Sequence, residues 1–284
     1  DIDAFAGRLS FFFAAHSDLF EEVAKFRAAR RLWARIMRDR FGANDASCKL
    51  RFHTQTGGVT LTAQQPTNNV VRVAYQALAA VLGGTQSLHT NSMDETLSLP
   101  TEEAVQVALR TQQILAYETG VPNVMDPLGG SYYLEALTDQ MEQEAEALFA
   151  QIDDFGGVVK GLEEGWFQKK ISESASRQQW EIEQRRKLVV GVNEFVTDEP
   201  ELTIPILRIG AYAETEQRER LAAMRASRDH ALVAERLDAL RNAARGTENV
   251  VPRILDCARA YCTLYEIRAA LEDVFGAYRE PVFF

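Results

Sequence analysis

The first half of the chain alternates between short segments with a two-residue hydrophobic period and longer segments with a helical period. Strands are predicted at 8–13, 49–55 and 85–91, and amphipathic helices follow them at about 18–41, 67–82 and 102–119. Three successive strand–helix units predict an α/β fold with a parallel sheet. A complete eight-stranded barrel needs about 250 residues and this alternation fills only about 130, which leaves two alternatives. The sheet is either small and open, or it is the last part of a barrel whose other strands precede Asp1.

One face of the predicted strands is polar. In 49–55, one face carries Leu50 and Phe52, and the other carries Arg51, His53 and Gln55. In 8–13, one face carries Leu9, Phe11 and Phe13, and the other carries Arg8, Ser10 and Phe12. Because Val, Ile and Leu usually fill the interior of a barrel, inward-facing rows of this kind predict a lumen that holds a ligand.

Further polar side chains gather around the third predicted strand: Gln86, His89, Asn91 and Glu95. Strand ends are where α/β folds bind their ligands. His53 alone would more often be a hydrogen-bonded core histidine than a functional group. Its polar neighbours Arg51 and Gln55, together with Gln86 and Glu95, favour the functional interpretation.

The second half of the chain has a different pattern. Long helices are predicted at about 132–152, 158–184, 212–245 and 252–277. We therefore expect two parts: residues 1–150, which form the sheet-containing part, and residues 151–284, a mostly helical extension that contacts other subunits.

Composition narrows the class of protein. The formal net charge of −10 argues against non-specific binding to nucleic acid or to an anionic membrane. We find no apolar run near the roughly 18 residues of a spanning helix. Three cysteines without disulfide or zinc spacing favour a reducing cytoplasm. The first residues include neither Met nor a signal peptide, so we expect the chain to begin inside a larger protein.

Several other features have simple structural interpretations. Six arginines crowd the first helix and are expected to form a solvated or salt-bridged face: Arg27, Arg30, Arg31, Arg35, Arg38 and Arg40. The segment Gly129-Gly130-Ser131 is interpreted as a turn with Ser131 as N-cap, rather than as a phosphate site. His53 and His89 lack further ligands at metal-binding spacing. His16 and His230 are assigned to ordinary loop or helix-surface positions. Cys257 and Cys262, five residues apart in a predicted helix, are expected on different faces.

Five segments in order resemble the adenosylcobalamin-dependent acyl-CoA mutases, and within that family most closely the large, substrate-binding subunits of the methylmalonyl-CoA mutase type. These segments are 8–12, 51–58, 61–64, 84–91 and 124–131. The chain departs from the fused-chain enzymes of the family at Phe13–His16, where those enzymes tend to carry Trp-Ala-Ile-Gly. It also departs at Val107–Thr111, where they carry Ile-Ala-Arg-Asn-Thr. Both departures favour the branch that has two kinds of subunit.

The resemblance implies a radical rearrangement of a carbon skeleton in a TIM-type (β/α)8 barrel, of which this chain supplies the C-terminal units. The thioester would run along the barrel axis, and cobalamin would lie across the strand ends. By resemblance, the substrate-binding residues are Arg8, Ser10, Phe12, His53 and Gln86. The cofactor-facing residues are Gln55, Gly58, Glu95 and Ser98, and the catalytic candidates are His53 and Gln55.

Two features of the family are missing from this sequence. The Asp-x-His-x-x-Gly motif, whose histidine ligates cobalt, does not occur, so we expect another subunit or domain to ligate the metal. The first half of the barrel, which selects the acyl group, is also absent. The substrate therefore stays open among methylmalonyl-, isobutyryl-, 2-hydroxyisobutyryl- and ethylmalonyl-CoA. We expect a homo- or hetero-oligomer and an inactive isolated chain, with a non-catalytic assembly subunit as the alternative.

Overall fold

A computed structural model describes residues 1–197 and 204–278 of the chain. The chain divides into two compact units, residues 1–207 and 208–284. The first unit contains the sheet, and the second is helical where it is described. The boundary expected from the sequence, between residues 150 and 151, stays a prediction.

The sheet of the first unit has three parallel strands in the order β1-β2-β3. They are β1 (Phe11–Ala15), β2 (Phe52–Thr56) and β3 (Ser87–His89). The predicted α/β class with parallel strands is confirmed, whereas a complete barrel is not seen in the described residues. Each strand is shorter than the sequence pattern indicated.

The predicted strand at 8–13 is wrong in its first three residues. Arg8 ends a short 3-10 turn, and Leu9 and Ser10 form an extended connection to β1. Leu9 was assigned to the packed face but is 39% exposed. The alternating pattern of side chains begins three residues before the backbone pairing of β1. A hydrophobic pattern does not show which residues have a neighbouring strand.

Six helices follow in the first unit. They are α1 (Leu19–Asp39), α2 (Asn68–Leu82), α3 (Glu102–Tyr117), α4 (Tyr132–Phe155), α5 (Val158–Glu163) and α6 (Trp166–Glu183). The predicted helix at 158–184 is two helices because Gly165, with φ +72°, takes a left-handed conformation between them. Ser131 stands at the N-cap position of α4 without a capping hydrogen bond from its side chain. Gly130 N instead donates to Glu135 of the first turn, at 2.7 Å.

Helices α1 and α2 cover one face of the sheet. The core between them stacks the rings of Phe26 and Phe52, whose centroids are 5.2 Å apart, and includes Ala15, Leu50 and Ala80. The small side chains on α2 let that helix approach the strands closely. The opposite face of the sheet is less buried by the described helices. The candidate site lies on this opposite face.

A row of ion pairs joins α1 to α4, which confirms the salt-bridged interpretation for three of the arginines. Arg27 pairs with Asp126 at 3.0 Å and with Glu135 at 2.8 Å. Arg31 pairs with Asp139 and Glu142, and Arg35 pairs with Glu142 and Glu146. We call these contacts the α1–α4 ionic seam.

The second unit contains α7 (Ala211–Ser227), α8 (His230–Arg245), α9 (Val251–Arg259) and α10 (Leu264–Phe275). Each of the two long helices predicted here is divided. Asp229 caps α8 through hydrogen bonds from the backbone of Ala231 and Leu232. Thr263 and Glu266 form a capping box at the start of α10.

The helix break corrects the expectation for the two cysteines of this unit. Because α9 ends at Arg259, Cys262 turns back and packs against the buried Cys257 instead of lying on another face. Burial raises the pKa of the Cys257 thiol to about 11. Both cysteines are free.

Among the residues described, no helix has the length and the hydropathy needed to span a bilayer.

Candidate functional site

The exposed side of the sheet presents the polar side chains that the sequence pattern predicted. On β2, Phe52, Thr54 and Thr56 are buried, and the alternate residues His53 and Gln55 are half-buried. The predicted division of this strand into a packed face and a polar face is confirmed. We call the side of the sheet that carries His53 and Gln55 the open face.

Strand register arranges the open face in two rows. The first row pairs Phe12 of β1 with His53 of β2 and Ser87 of β3. The second row pairs Ala14 with Gln55 and His89. Because parallel strands run in one direction, the first row lies nearer their amino ends and the second nearer their carboxyl ends.

The first row combines an aromatic surface with an oriented imidazole. Phe12 is 66% exposed, and its ring centroid lies 4.8 Å from that of His53. His53 Nδ1 is 2.7 Å from Ser87 Oγ, and Nε2 makes no hydrogen bond to the described residues. His53 is thus not a core histidine; the hydroxyl orients its ring and leaves Nε2 for a ligand.

In the second row, a buried asparagine orients Gln55. Gln55 Nε2 donates to Asn91 Oδ1 at 3.0 Å. Asn91 is itself held by Thr56, whose Oγ accepts from Asn91 N at 2.9 Å and whose carbonyl accepts from Asn91 Nδ2 at 2.8 Å. Since the amide nitrogen of Gln55 is engaged in this way, its oxygen is the atom available to a ligand.

Gly58 and Glu95 come together just beyond these residues. A Cβ at Gly58 would collide with Glu95 Oε1 and lie 3.1 Å from Asn91 Nδ2. Partial burial raises the pKa of Glu95; the electrostatic interaction with His89 opposes that rise, and the interaction with Asp94 adds to it. We call Gln55, Gly58, Asn91 and Glu95 the edge cluster. It offers hydrogen-bond acceptors close to the backbone of Gly58, whose side-chain space the Glu95 carboxylate occupies.

Gln76 of α2 holds the loops of this edge in place, and sequence analysis missed it. The residue is fully buried. Its Oε1 accepts from Gly57 N at 3.1 Å, and its Nε2 donates to Ser17 Oγ at 3.1 Å and Thr60 Oγ at 2.6 Å. The signal was available, because Gln76 and Asn69 place two amides on the buried stripe of a helix that is otherwise lined there by Val and Ala.

Four of the predicted site residues lie away from the edge cluster. Arg8 and Ser10 precede β1. Gln86 precedes β3, where its Oε1 accepts from Phe52 N at 2.7 Å and its Nε2 donates to Gly84 O at 3.0 Å. Ser98 donates its hydroxyl to Leu207 O at 2.9 Å. Arg8, Ser10 and Gln86 therefore belong to the amino end of the sheet.

Within the residues described, no three side chains of His, Cys, Asp or Glu are grouped to hold a metal ion.

The arrangement defines a class of protein: a parallel α/β protein whose candidate ligand site consists of one open sheet face and the carboxyl edge next to it. A family model described as methylmalonyl-CoA mutase matches residues 1–277. The chain belongs to the methylmalonyl-CoA mutase family, as the sequence motifs indicated.

Curated relatives agree with this membership. The chain is 47% identical to the "2-hydroxyisobutanoyl-CoA mutase large subunit" of Aquincola tertiaricarbonis, over 99% of this chain and 51% of that protein. It is 45% identical to the methylmalonyl-CoA mutase of Escherichia coli, over 99% of the chain and 39% of that protein. For the human mitochondrial methylmalonyl-CoA mutase the identity is 44%, over 98% of the chain and 37% of the relative. The chain thus spans about half or less of the length of these relatives.

Proposed function

We propose that this chain is the C-terminal barrel portion of the substrate-binding subunit of an adenosylcobalamin-dependent acyl-CoA mutase. The observation that carries the proposal is the open face. It connects the amino-end residues to the edge cluster in a chain that belongs to this family. The protein would be an isomerase of the cytoplasm, and it would act in an oligomer that includes a cobalamin-binding partner.

The open face suits a long ligand that lies parallel to the strands. A strand rises about 3.3 Å per residue, so the five residues of β2 extend over about 17 Å. Arg8 and Ser10 at the amino end would contact coenzyme A. Phe12 would form an apolar wall for the acyl chain, and His53 and Gln86 would hydrogen-bond the substrate.

The edge cluster fits a flat macrocycle with polar substituents. Gly58 lets the Glu95 carboxylate lie close to the backbone at this edge, because it carries no side chain. In the proposal Gln55, Gly58, Glu95 and Ser98 hold cobalamin, and Glu95 accepts hydrogen bonds from ribose hydroxyls. When bound, adenosylcobalamin supplies the radical chemistry of the rearrangement. The cobalt-ligating histidine is assigned to the partner, since the sequence carries no Asp-x-His-x-x-Gly motif.

The residues of this chain bind and orient the substrate. Ser87 fixes the His53 ring so that Nε2 reaches a thioester or acyl oxygen, and Asn91 fixes Gln55. The side chains that would hydrogen-bond the acyl part of the substrate are the neutral amide of Gln86 and the imidazole of His53. Such groups hold a carbonyl without adding a strong acid to a site in which a reactive radical must be protected.

The leading substrate is methylmalonyl-CoA, which would interconvert with succinyl-CoA. A second candidate, 2-hydroxyisobutyryl-CoA, is supported by the 47% identity to the large subunit of a 2-hydroxyisobutanoyl-CoA mutase. Isobutyryl-CoA and ethylmalonyl-CoA remain further alternatives.

Reconstitution tests the proposal. The complete protein that contains this chain is combined with its cobalamin-binding partner and adenosylcobalamin, and products are analysed for each of the four esters. Formation of succinyl-CoA from methylmalonyl-CoA is the expected result. Preference for another ester keeps the reaction class and changes the substrate. If no ester is turned over while the partner is bound, the proposal is wrong and a non-catalytic assembly role replaces it.

A further inference from the structure

His16 stands at the carboxyl end of β1, beside the edge cluster, and the proposed function gives it no role. Phe12 and Ala14 of β1 lie on the open face, in register with His53 and Gln55. The two-residue period of the strand continues this face to His16, directly after the last residue of β1. The side chain is exposed.

The neighbouring strand places a glycine opposite this imidazole. Ala15 pairs with Thr56, and Gly57 N donates to Ala15 O at 2.7 Å, so His16 and Gly57 form the next pair. A Cβ at Gly57 would lie 2.8 Å from His16 Cδ2 and 3.3 Å from Nε2. The first of these distances is too short for two carbon atoms. The ring therefore occupies the space that a side chain at position 57 would need.

Both sides of this pair are held by one buried amide. Gln76 Oε1 accepts from Gly57 N at 3.1 Å, and Gln76 Nε2 donates to Ser17 Oγ at 3.1 Å, one residue after His16. The backbone beneath the ring and the loop that carries the ring are thus fixed together. This arrangement lowers the entropy that is lost when a ligand binds.

Two adjacent glycines bring His16 and the edge cluster together. His16 fills the side-chain space of Gly57, and Glu95 fills that of Gly58. Neither ring nitrogen of His16 hydrogen-bonds to the described residues, so the ring is available to donate a hydrogen bond to a ligand at this edge.

We propose that His16 is a further cofactor-binding residue, whose imidazole donates a hydrogen bond to an amide carbonyl at the periphery of bound cobalamin. This inference rests on the proposed function. The corrin ring carries amide side chains around its rim, and their oxygens accept hydrogen bonds. An exposed imidazole beside the edge cluster, which is proposed to hold the macrocycle, matches such an acceptor in position and in chemistry.

Equilibrium binding of cobalamin, followed by absorbance, tests the inference without relying on turnover. The complete protein with its cobalamin-binding partner is compared with the variants His16→Ala and His16→Gln. Loss of one hydrogen bond is expected to weaken binding about 3- to 10-fold in His16→Ala. His16→Gln, which keeps a donor, is expected to recover part of that loss. His230→Ala, at an exposed histidine of α8, is the matched control and should bind like the wild type.

A double-mutant cycle tests whether Gly57 acts through His16. Gly57→Ala is expected to displace the ring and weaken binding, as His16→Ala does. In the His16→Ala background, Gly57→Ala retains only the close contact of its Cβ with Ala15 O at 3.1 Å, so its further loss should be smaller than in the wild type. Fully additive effects of the two changes would overturn the proposed pairing.

The outcomes separate this inference from the proposed function. If the wild-type assembly binds cobalamin and His16→Ala binds it equally tightly, His16 is not a cofactor-binding residue. The same conclusion follows if His16→Ala weakens only the binding of the acyl-CoA ester. If the wild-type assembly does not bind cobalamin, the proposed function and this inference are both wrong.

Discussion

At the scale of single residues, the candidate site depends on side chains that are oriented by others. Ser87 orients His53, Asn91 orients Gln55, and Gln76 holds the backbone of Gly57. A ligand that meets pre-oriented groups loses less entropy on binding than one that must order them. Substitutions at the orienting residues and at the oriented residues should therefore have different consequences.

Replacing Gln55 or Glu95 by Ala should weaken cobalamin binding in the assembled protein by about 3- to 10-fold for each lost hydrogen bond. Unfolding temperature should change little, because neither side chain belongs to the core. Binding is measured by absorbance, and stability by thermal unfolding of the same samples. Glu219→Ala, at an exposed residue of α7, is the control. Wild-type cobalamin affinity in both site variants would contradict the assigned roles.

Replacing Gln76 by Leu should instead lower the free energy of unfolding, by about 1–3 kcal/mol. The change removes the second acceptor of Gly57 N, which keeps its bond to Ala15 O, and it removes the donor to Ser17 and Thr60. Urea unfolding of the variant measures this difference. Gln140→Leu, at an exposed position of α4, provides a comparison in which no buried group loses a partner. Equal stability of the two variants would show that Gln76 has no structural role.

At the scale of elements, the sequence predicted the kinds of element better than their ends. All three strands and the helices after them were found at the expected places, because long periodic segments carry a strong signal. The long predicted helices at 158–184, 212–245 and 252–277 were each divided. In 252–277 the division lies at Tyr261, which has φ +60°, and the capping box of Thr263 then starts a new helix. The hydrophobic period of a sequence carries no information about such local changes in backbone conformation.

The α1–α4 ionic seam makes packing between these two helices sensitive to acid. The Arg27 guanidinium, together with a hydrogen bond from Gly130 N, lowers the pKa of Glu135 to about 2. A carboxyl group with a depressed pKa in the folded state stabilises that state above its ordinary pKa, and this stabilisation is lost as pH falls toward about 2.

Glu135→Gln should therefore be less stable than the wild type at neutral pH, and this difference should shrink as pH falls from about 4.5 toward about 2. Urea unfolding across that range measures the difference. Glu144→Gln is the control on the same helix, because Glu144 has no arginine partner among the described residues. A difference between Glu135→Gln and the wild type that does not change with pH would contradict the assignment.

At the scale of the whole molecule, we propose that a complete site needs more strands than the three that the structure describes. Three strands present one open face, whereas the curated relatives are about two to three times as long as the matched segment. The isolated 284-residue chain is therefore expected to show no turnover of any candidate ester. Product analysis with adenosylcobalamin checks this expectation, and the assembled protein serves as the positive control. Turnover by the isolated chain would contradict it.

The sequence by itself determined the family, the parallel α/β class and the two faces of β2. The family follows from the order of the motifs, and the strand faces follow from the two-residue period. Both can be found in short stretches of sequence without knowledge of long-range contacts. It also indicated Gln55, Asn91 and Glu95 of the edge cluster, because strand ends can be located along the chain, and the family resemblance added Gly58.

Tertiary structure alone decided which of these residues meet. Gln86 and Glu95 are nine positions apart, yet they precede and follow β3, so that strand separates them. His16 and Gly57 are distant in sequence, yet strand register makes them neighbours. Gln76 on a helix reaches loops after two different strands. Contacts of this kind depend on register and on helix packing, which a one-dimensional pattern does not contain.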